Sequence, residues 1–386
     1  MNLAAANENL AHISNVLIYS SMAVYTLAFL AHIAEWVFGS RSKVGRTAAA
    51  LVAEGESAGR AAKGSAQVRK ARAGGGTAVL ERPKVVGRAT EGSRDIADGP
   101  GADGGDEKGS LYGRIAVSLT VLAFFIATAA VVTRSLSVQR APWGNMYEFS
   151  TTFSTVAVGV YLALLLAKKE VRWIGLPLVT SVLLDLGVAT TWLYTDSDQL
   201  VPALHSYWLW IHVSTAIFCG AVLYMGAVSS LVYLLRDRYE ARLAAGRVGE
   251  AEKILASGRA PAGSSRVVLW ARVMGNDIMA RLPAASSLDR FSYRVNAAVF
   301  PLWTFTIVAG SIWAGDAWGR YWGWDPKEVW SFVTWVAYAC YLHARATAGW
   351  KGRKAAYIAL AAFGAYLFNY YGVNFLFGGK HSYSGV

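Results

Sequence analysis

Residues 112–133 read Y-G-R-I-A-V-S-L-T-V-L-A-F-F-I-A-T-A-A-V-V-T, with a single charge, Arg114, near the start. A helix needs ~20 predominantly apolar residues to cross the hydrocarbon core of a bilayer, and this run supplies them. Seven more blocks of the same kind surround it, at residues 13–38, 149–167, 173–194, 208–235, 295–314, 329–347 and 355–377. No backbone polar group can be left unsatisfied in lipid, so these blocks are read as helices rather than an open sheet. The expected fold is an all-α polytopic membrane protein with eight spans. Composition agrees: 54% of the 386 residues are hydrophobic and only 16% are charged.

Basic residues give the orientation. If both termini are placed on the outer, extracytoplasmic side, the inner segments hold 32 of the 37 Lys and Arg. The outer remainder is Arg134, Arg140, Arg320, Lys327 and Lys380. The net charge of +12 is then inner-face charge against anionic lipid, and no nucleic-acid partner is needed to explain it. Residues 1–12 contain no Lys or Arg, so the first span is expected to be an uncleaved helix rather than a signal peptide.

The chain divides accordingly. Residues 1–38 hold the first span, and residues 39–111, rich in Ala, Gly, Ser and mixed charge, read as a disordered cytoplasmic loop. Residues 112–236 hold the second to fifth spans. Residues 237–294 form a cytoplasmic segment with an inward helical extension of the fifth span and a short amphipathic helix at 267–282. Residues 295–386 hold the last three spans, an aromatic loop at 315–331 and an outer tail. Cys219 and Cys340 form no C-x-x-C pair, and both read as small core residues. No Walker loop or dinucleotide fingerprint occurs.

The loop carries the chemistry. It reads G-D-A-W-G-R-Y-W-G-W-D-P-K-E-V-W-S. A large planar ligand needs flat aromatic walls, glycines for close approach and a few orienting polar groups. A porphyrin is the planar ligand of that size. Trp318, Tyr321, Trp322 and Trp324 place four rings in seven positions, denser than an interfacial belt. Arg320 and Lys327 are candidates to pair carboxylates of such a ligand, with solvated surface charge as the alternative. Asp325-Pro326-Lys327-Glu328 is also a good helix start, so Asp325 is as much a cap as a ligand contact.

Of the six histidines, His212 sits one turn into the fifth span and His381 in the outer tail, both at the level of the loop. A helix end and a tail can approach a porphyrin from opposite faces, as two axial imidazoles must. Trp208 precedes His212 by four residues, on the same helical face. His343 and His32 lie deeper, roughly 20 Å and 27 Å from the outer ends of their spans at 1.5 Å per residue. They are candidates to share a second ligand site, or to meet a histidine of a partner protein. The alternative is a histidine hydrogen-bonded between helices. Asp185 and Glu35 are intramembrane acids with no partner readable from sequence.

The run W-G-R-Y-W-G-W-D-P-K-E-V-W-S resembles the tryptophan-rich WWD signature of haem-handling membrane proteins. Further stretches bring it nearest to the CcsA/ResC family of System II cytochrome c biogenesis, sometimes labelled CcsB in actinobacteria. These are P-W-G-N-M-Y-E-F at 142–149, S-Y-W-L-W-I-H-V at 206–213, L-D-R-F-S-Y-R at 288–294, Y-L-H-A-R at 341–345 and G-V-N-F-L-F-G-G-K-H-S-Y at 372–383. The resemblance implies transport and presentation of haem b at a bacterial cytoplasmic membrane and its attachment to a C-x-x-C-H apocytochrome c. The chain would act as part of a holocytochrome c synthase complex with a ResB/Ccs1-type partner. It maps the outer iron ligands onto His212 and His381, and the transmembrane histidine onto His343, with an opposing ligand from the partner. His205 stands beside its motif and inherits no role. A haem-containing electron carrier and a simple haem exporter are the alternatives.

Overall fold

A computed structural model of the chain describes residues 7–38, 111–198, 206–257 and 265–381. The expected inner loop at 39–110 and His205 fall outside the described residues. Every regular element within them is helical. In chain order these are α1 (Glu8–Phe38), α2 (Leu111–Val138), α3 (Met146–Leu166) and α4 (Gly175–Thr191), the last entered through a 3₁₀ turn at Arg172–Ile174. Then come α5 (Tyr207–Ala244), α6 (Glu250–Ser257), α7 (Arg266–Arg281), α8 (Ala285–Trp318), α9 (Pro326–Ala346) and α10 (Arg353–Leu367). A π-turn at Phe368–Gly372 and a last short helix, α11 (Val373–Leu376), close the series.

Six of these segments are long and apolar enough to cross a membrane: α1, α2, α3, the 3₁₀ turn with α4, α5 and α8. The protein is an all-α polytopic membrane protein. The seventh and eighth expected spans exist as helices but do not reach that measure. α9 begins with Lys327 and Glu328 and ends with His343 and Arg345, and α10 gives way to the π-turn after 15 residues. The fifth span does continue as helix beyond its apolar block, to Ala244, and a helix, α7, stands where the amphipathic segment is expected. α8 starts ten residues before the expected block, so residues 285–294 are helix rather than loop. Of the two cysteines, Cys219 is buried, whereas Cys340 is exposed and not a core residue.

In lipid, apolar surface alone does not drive helices together; close packing and interhelical hydrogen bonds do. α1 and α2 follow that rule in heptad spacing. α1 buries Ser14, Ile18, Ser21, Tyr25, Ala28, His32 and Glu35; α2 answers with Ala116, Thr120, Ala123, Ala127 and Ala130. The small residues let the backbones approach, and the Ser14 hydroxyl donates to the Ala130 carbonyl at 2.8 Å. α5 is the central post. It packs on α3, α8 and α10 and buries most of its apolar stretch, where the other spans bury less than half. One core lies under α1–α5 around Tyr161, Trp173 and Leu178; another, around Trp303, Tyr338, Tyr341 and Tyr366, joins α5 to α8, α9 and α10.

Both intramembrane acids have partners. Glu35 pairs with Arg172 at 2.8 Å and with His32 at 3.3 Å, and Asp185 accepts from Ser154 at 2.6 Å and Tyr371 at 2.5 Å. At the opposite end of α2 Glu148 is fully buried, paired with Arg134 at 3.1 Å and Arg140 at 2.7 Å. These pairs meet the demand that a buried charge be matched by charge and hydrogen bonds.

Candidate functional site

The start of α3, the first turns of α5, the second half of α8, the first turn of α9 and the π-turn surround a cavity with about 1280 Å³ of empty space, its mouth included. His212 and His381 both line it. The fifth-span helix and the tail, 169 positions apart in sequence, are therefore brought to one wall-lined space.

His212 occupies the second turn of α5, and its Nδ1 donates to the Thr306 carbonyl of α8 at 2.8 Å. Gly310 makes that reach possible: a Cβ there would lie 2.6 Å from the imidazole. His381 is oriented by Asp325, whose Oδ1 accepts from its Nδ1 at 2.9 Å. With Nδ1 protonated in each ring, Nε2 carries the lone pair. This is how second-shell acceptors set the tautomer of metal-binding histidines. The Trp313 indole touches both rings, at 6.2 Å and 15° to His212 and at 5.6 Å and 68° to His381.

Asp325 is both a cap and an orienting group. It begins α9 with a capping box to Glu328, and it also accepts from the backbone N–H of Lys327 at 3.1 Å and Lys380 at 2.8 Å. Gly379 must lack a Cβ here, because one would stand 2.5 Å from Asp325 Oδ2. Burial by itself would raise the Asp325 pKa, but the hydrogen bond from His381, the charge of that ring once protonated, and the two backbone amides pull it down to about 2.

The aromatic loop is not one flat shelf. Tyr321 and Trp322 line the cavity, the former held by its carbonyl accepting from Ser311 at 2.7 Å. Trp318 instead packs behind His381, with ring centroids 4.8 Å apart. Trp324 adopts a left-handed φ of 58°, is 72% exposed and meets Trp322 edge-on at 5.9 Å. Arg320 is exposed with its guanidinium laid over Gly323, away from the lining, and Trp208 packs beside the Leu209–Trp313 cluster. The remaining walls come from Trp143, Phe149, Trp303, Trp313, Tyr366 and Tyr370. Trp303 and Trp313, with the further lining residues Thr306 and Gly310, stand at 3-4-3 spacing on one face of α8, a stripe that periodicity alone could have flagged.

His32 and His343 are not brought together. His32 is fully buried on α1, with Nδ1 3.3 Å from Glu35 and Nε2 3.3 Å from Thr120. His343 is exposed in the last turn of α9. The α1 heptad face turns His32 onto α2, and this is what separates the two.

Four polar atoms of cavity-lining residues are buried without a hydrogen-bond partner: Trp303 Nε1, Trp313 Nε1, Glu328 Oε1 and Asn369 Oδ1. Such groups are rare in folded proteins and point to something that completes them. Among the described residues no cluster of three or more His, Cys, Asp or Glu is arranged to hold a bare metal ion. Two imidazoles suffice only where a macrocycle supplies the other donors, and the donor set and the aromatic walls fit that case.

Residues 143–381 match the family described as Cytochrome C assembly protein. The match runs from Trp143 of the cavity wall to His381. Among similar proteins, the cytochrome c biogenesis protein CcsA of Synechococcus sp. (strain JA-3-3Ab) is 34% identical over 299 residues, covering 71% of this chain and 84% of that protein. CcsA of Gloeobacter violaceus is 33% identical over 294 residues, covering 71% and 87%, and CcsA of Rippkaea orientalis is 36% identical over 277 residues, covering 63% and 80%. A shared stretch that includes every cavity-forming helix, at this identity and coverage, means that the chain belongs to the CcsA family of cytochrome c assembly proteins.

Proposed function

We propose that this protein, which serves cytochrome c biogenesis, holds haem b in the outer cavity between His212 and His381 and presents it to an apocytochrome c. One observation carries the reading: imidazoles from α5 and the tail line the same aromatic cavity, each with Nδ1 tied to a fixed acceptor. Haem supplies an iron to be ligated and two vinyl groups to be attacked by thiols. The protein's own part is placement. Thr306 and Asp325 fix the ring orientations of the two histidines, and Trp313, Tyr321 and Trp322 provide flat faces. Tyr366 and Tyr370 complete the walls. Each cysteine thiol of a C-x-x-C-H segment adds across a vinyl double bond, sulfur to one carbon and hydrogen to the other, so no net electrons are needed. Holding both reactants in register replaces a rare bimolecular encounter.

His343, exposed on α9, suits a ligand role shared with a histidine of a ResB/Ccs1-type partner in a bacterial cytoplasmic membrane. His32 is assigned a structural role instead, because Glu35 and Thr120 occupy both its nitrogens. This also disfavours a two-haem electron carrier, which would need a second histidine pair within the chain. The test is the reduced absorption spectrum of the purified protein. Wild type should show a low-spin haem band, and His212→Ala combined with His381→Ala should lose it, with partial recovery in added imidazole. An unchanged band in the double variant would sink the assignment.

A further inference from the structure

Lys327 is the one lysine or arginine among the described residues that line the cavity. It is the second residue of α9, with Nζ 5.7 Å above the Tyr370 ring centroid. No carboxylate among the described residues stands within 4 Å of it as an ion-pair partner. Its neighbour Asp325 is committed to His381 and to the backbone of Lys327 and Lys380. Glu328 gives Oε2 to the amides of Gly323 and Asp325, and its buried Oε1 calls for a donor rather than an anion. Asp325 is the negative charge near it, but that carboxylate is already engaged, and a half-buried ammonium without an ion-pair partner is costly to keep unless something anionic completes it. Two further donors on the same walls, the indole N–H groups of Trp303 and Trp313, also lack acceptors. Arg320, the other candidate from the sequence, lies over Gly323 outside the lining.

We infer that Lys327 recognises the carboxylate edge of the cavity's ligand and makes the site selective for dicarboxylate porphyrins. The inference rests on the haem reading above and deepens it. Porphyrin propionates lie on one edge of the ring and the vinyl groups lie away from it. Seating the carboxylates at Lys327 therefore fixes which edge is left for the incoming thiols.

The experiment uses the full chain in detergent and metal-free protoporphyrin IX, so that histidine ligation plays no part. Binding is followed by quenching of tryptophan fluorescence and compared with the dimethyl ester of the same porphyrin. Wild type should prefer the free acid by about tenfold or more, the worth of one charge-assisted contact. Lys327→Met should bring the two ligands within about twofold, and Lys327→Arg should keep the preference, which also shows that the site survives substitution. A preference retained in Lys327→Met, or no preference in wild type, overturns the role of Lys327 alone. If wild type binds neither porphyrin, the carboxylate contact does not hold a macrocycle and the role of Lys327 falls, while the haem reading still stands or falls on the spectra of the His212 and His381 variants.

Discussion

Gly310 sets how closely His212 can approach its acceptor. A methyl group at that position would stand 2.6 Å from the imidazole, well inside contact distance. In an ordinary helix interior Gly→Ala gains up to about 1 kcal/mol, but here it must push the ring off the Thr306 carbonyl. Gly310→Ala is therefore expected to leave the fold intact, by circular dichroism, while weakening the haem band. A wild-type spectrum would show that the ring has room to spare. Asp325 governs the other ligand. Its folded pKa of about 2 lies below the ordinary 3.8, so its contribution is complete above about pH 4 and is lost as pH falls towards 2. The tail at Phe377–His381 should resist pepsin at pH 4 and become cleavable near pH 2. Asp325→Asn should remove that pH step and leave the tail cleavable at both.

At the scale of elements, the π-turn after α10 decides where the cavity's inner wall stands. Its extra residue rotates Tyr370 and Tyr371 relative to a regular helix, a common device at functional sites. Tyr370 faces the cavity and hydrogen-bonds Ser150 at 2.7 Å, while Tyr371 donates to Asp185 of α4. Asp185, unassigned in the sequence, is thus the anchor of the turn. Asp185→Leu would strand the hydroxyls of Ser154 and Tyr371 in an apolar setting, at about 1–3 kcal/mol for each unsatisfied group. A clearly lower thermal midpoint in detergent is expected, with a smaller loss for Asp185→Asn, whose amide oxygen still accepts. Equal midpoints for Leu and wild type would mean that the turn stands without the carboxyl.

For the whole molecule, the site is outward-facing only if the positive-inside orientation holds, with eight spans and both termini outside. Asp316 and Arg247 are exposed on the two ends of the helical bundle and report on this. In a background with Cys219 and Cys340 replaced by serine, Asp316→Cys should react with an impermeant maleimide in intact cells. Arg247→Cys should react only after permeabilisation, and the reverse pattern would invert the topology. The six clear spans alone leave the direction of α9 and α10 open, and these are the helices that carry Asp325, Lys327 and the π-turn. Their packing on α8 and α5 settles their place in the bundle.

Most of the helices, the aromatic loop and the pairing of His212 with His381 at one site were legible in the sequence. The number of apolar residues a bilayer demands, the capping pattern at Asp325 and the local level of His212 and His381 are properties of short stretches. Which faces meet is not such a property. That Trp313 touches both imidazoles, that Arg172 neutralises Glu35 and that His32 turns away from His343 depend on contacts between residues far apart in the chain. So does the division of the loop, with Trp322 at the cavity and Trp324 in the open. A local pattern sets what a segment becomes; only the packing of α5 against α8 and α10, and of α9 against those same two helices, sets which side chains share a space, because many pairings would satisfy the same run of apolar residues.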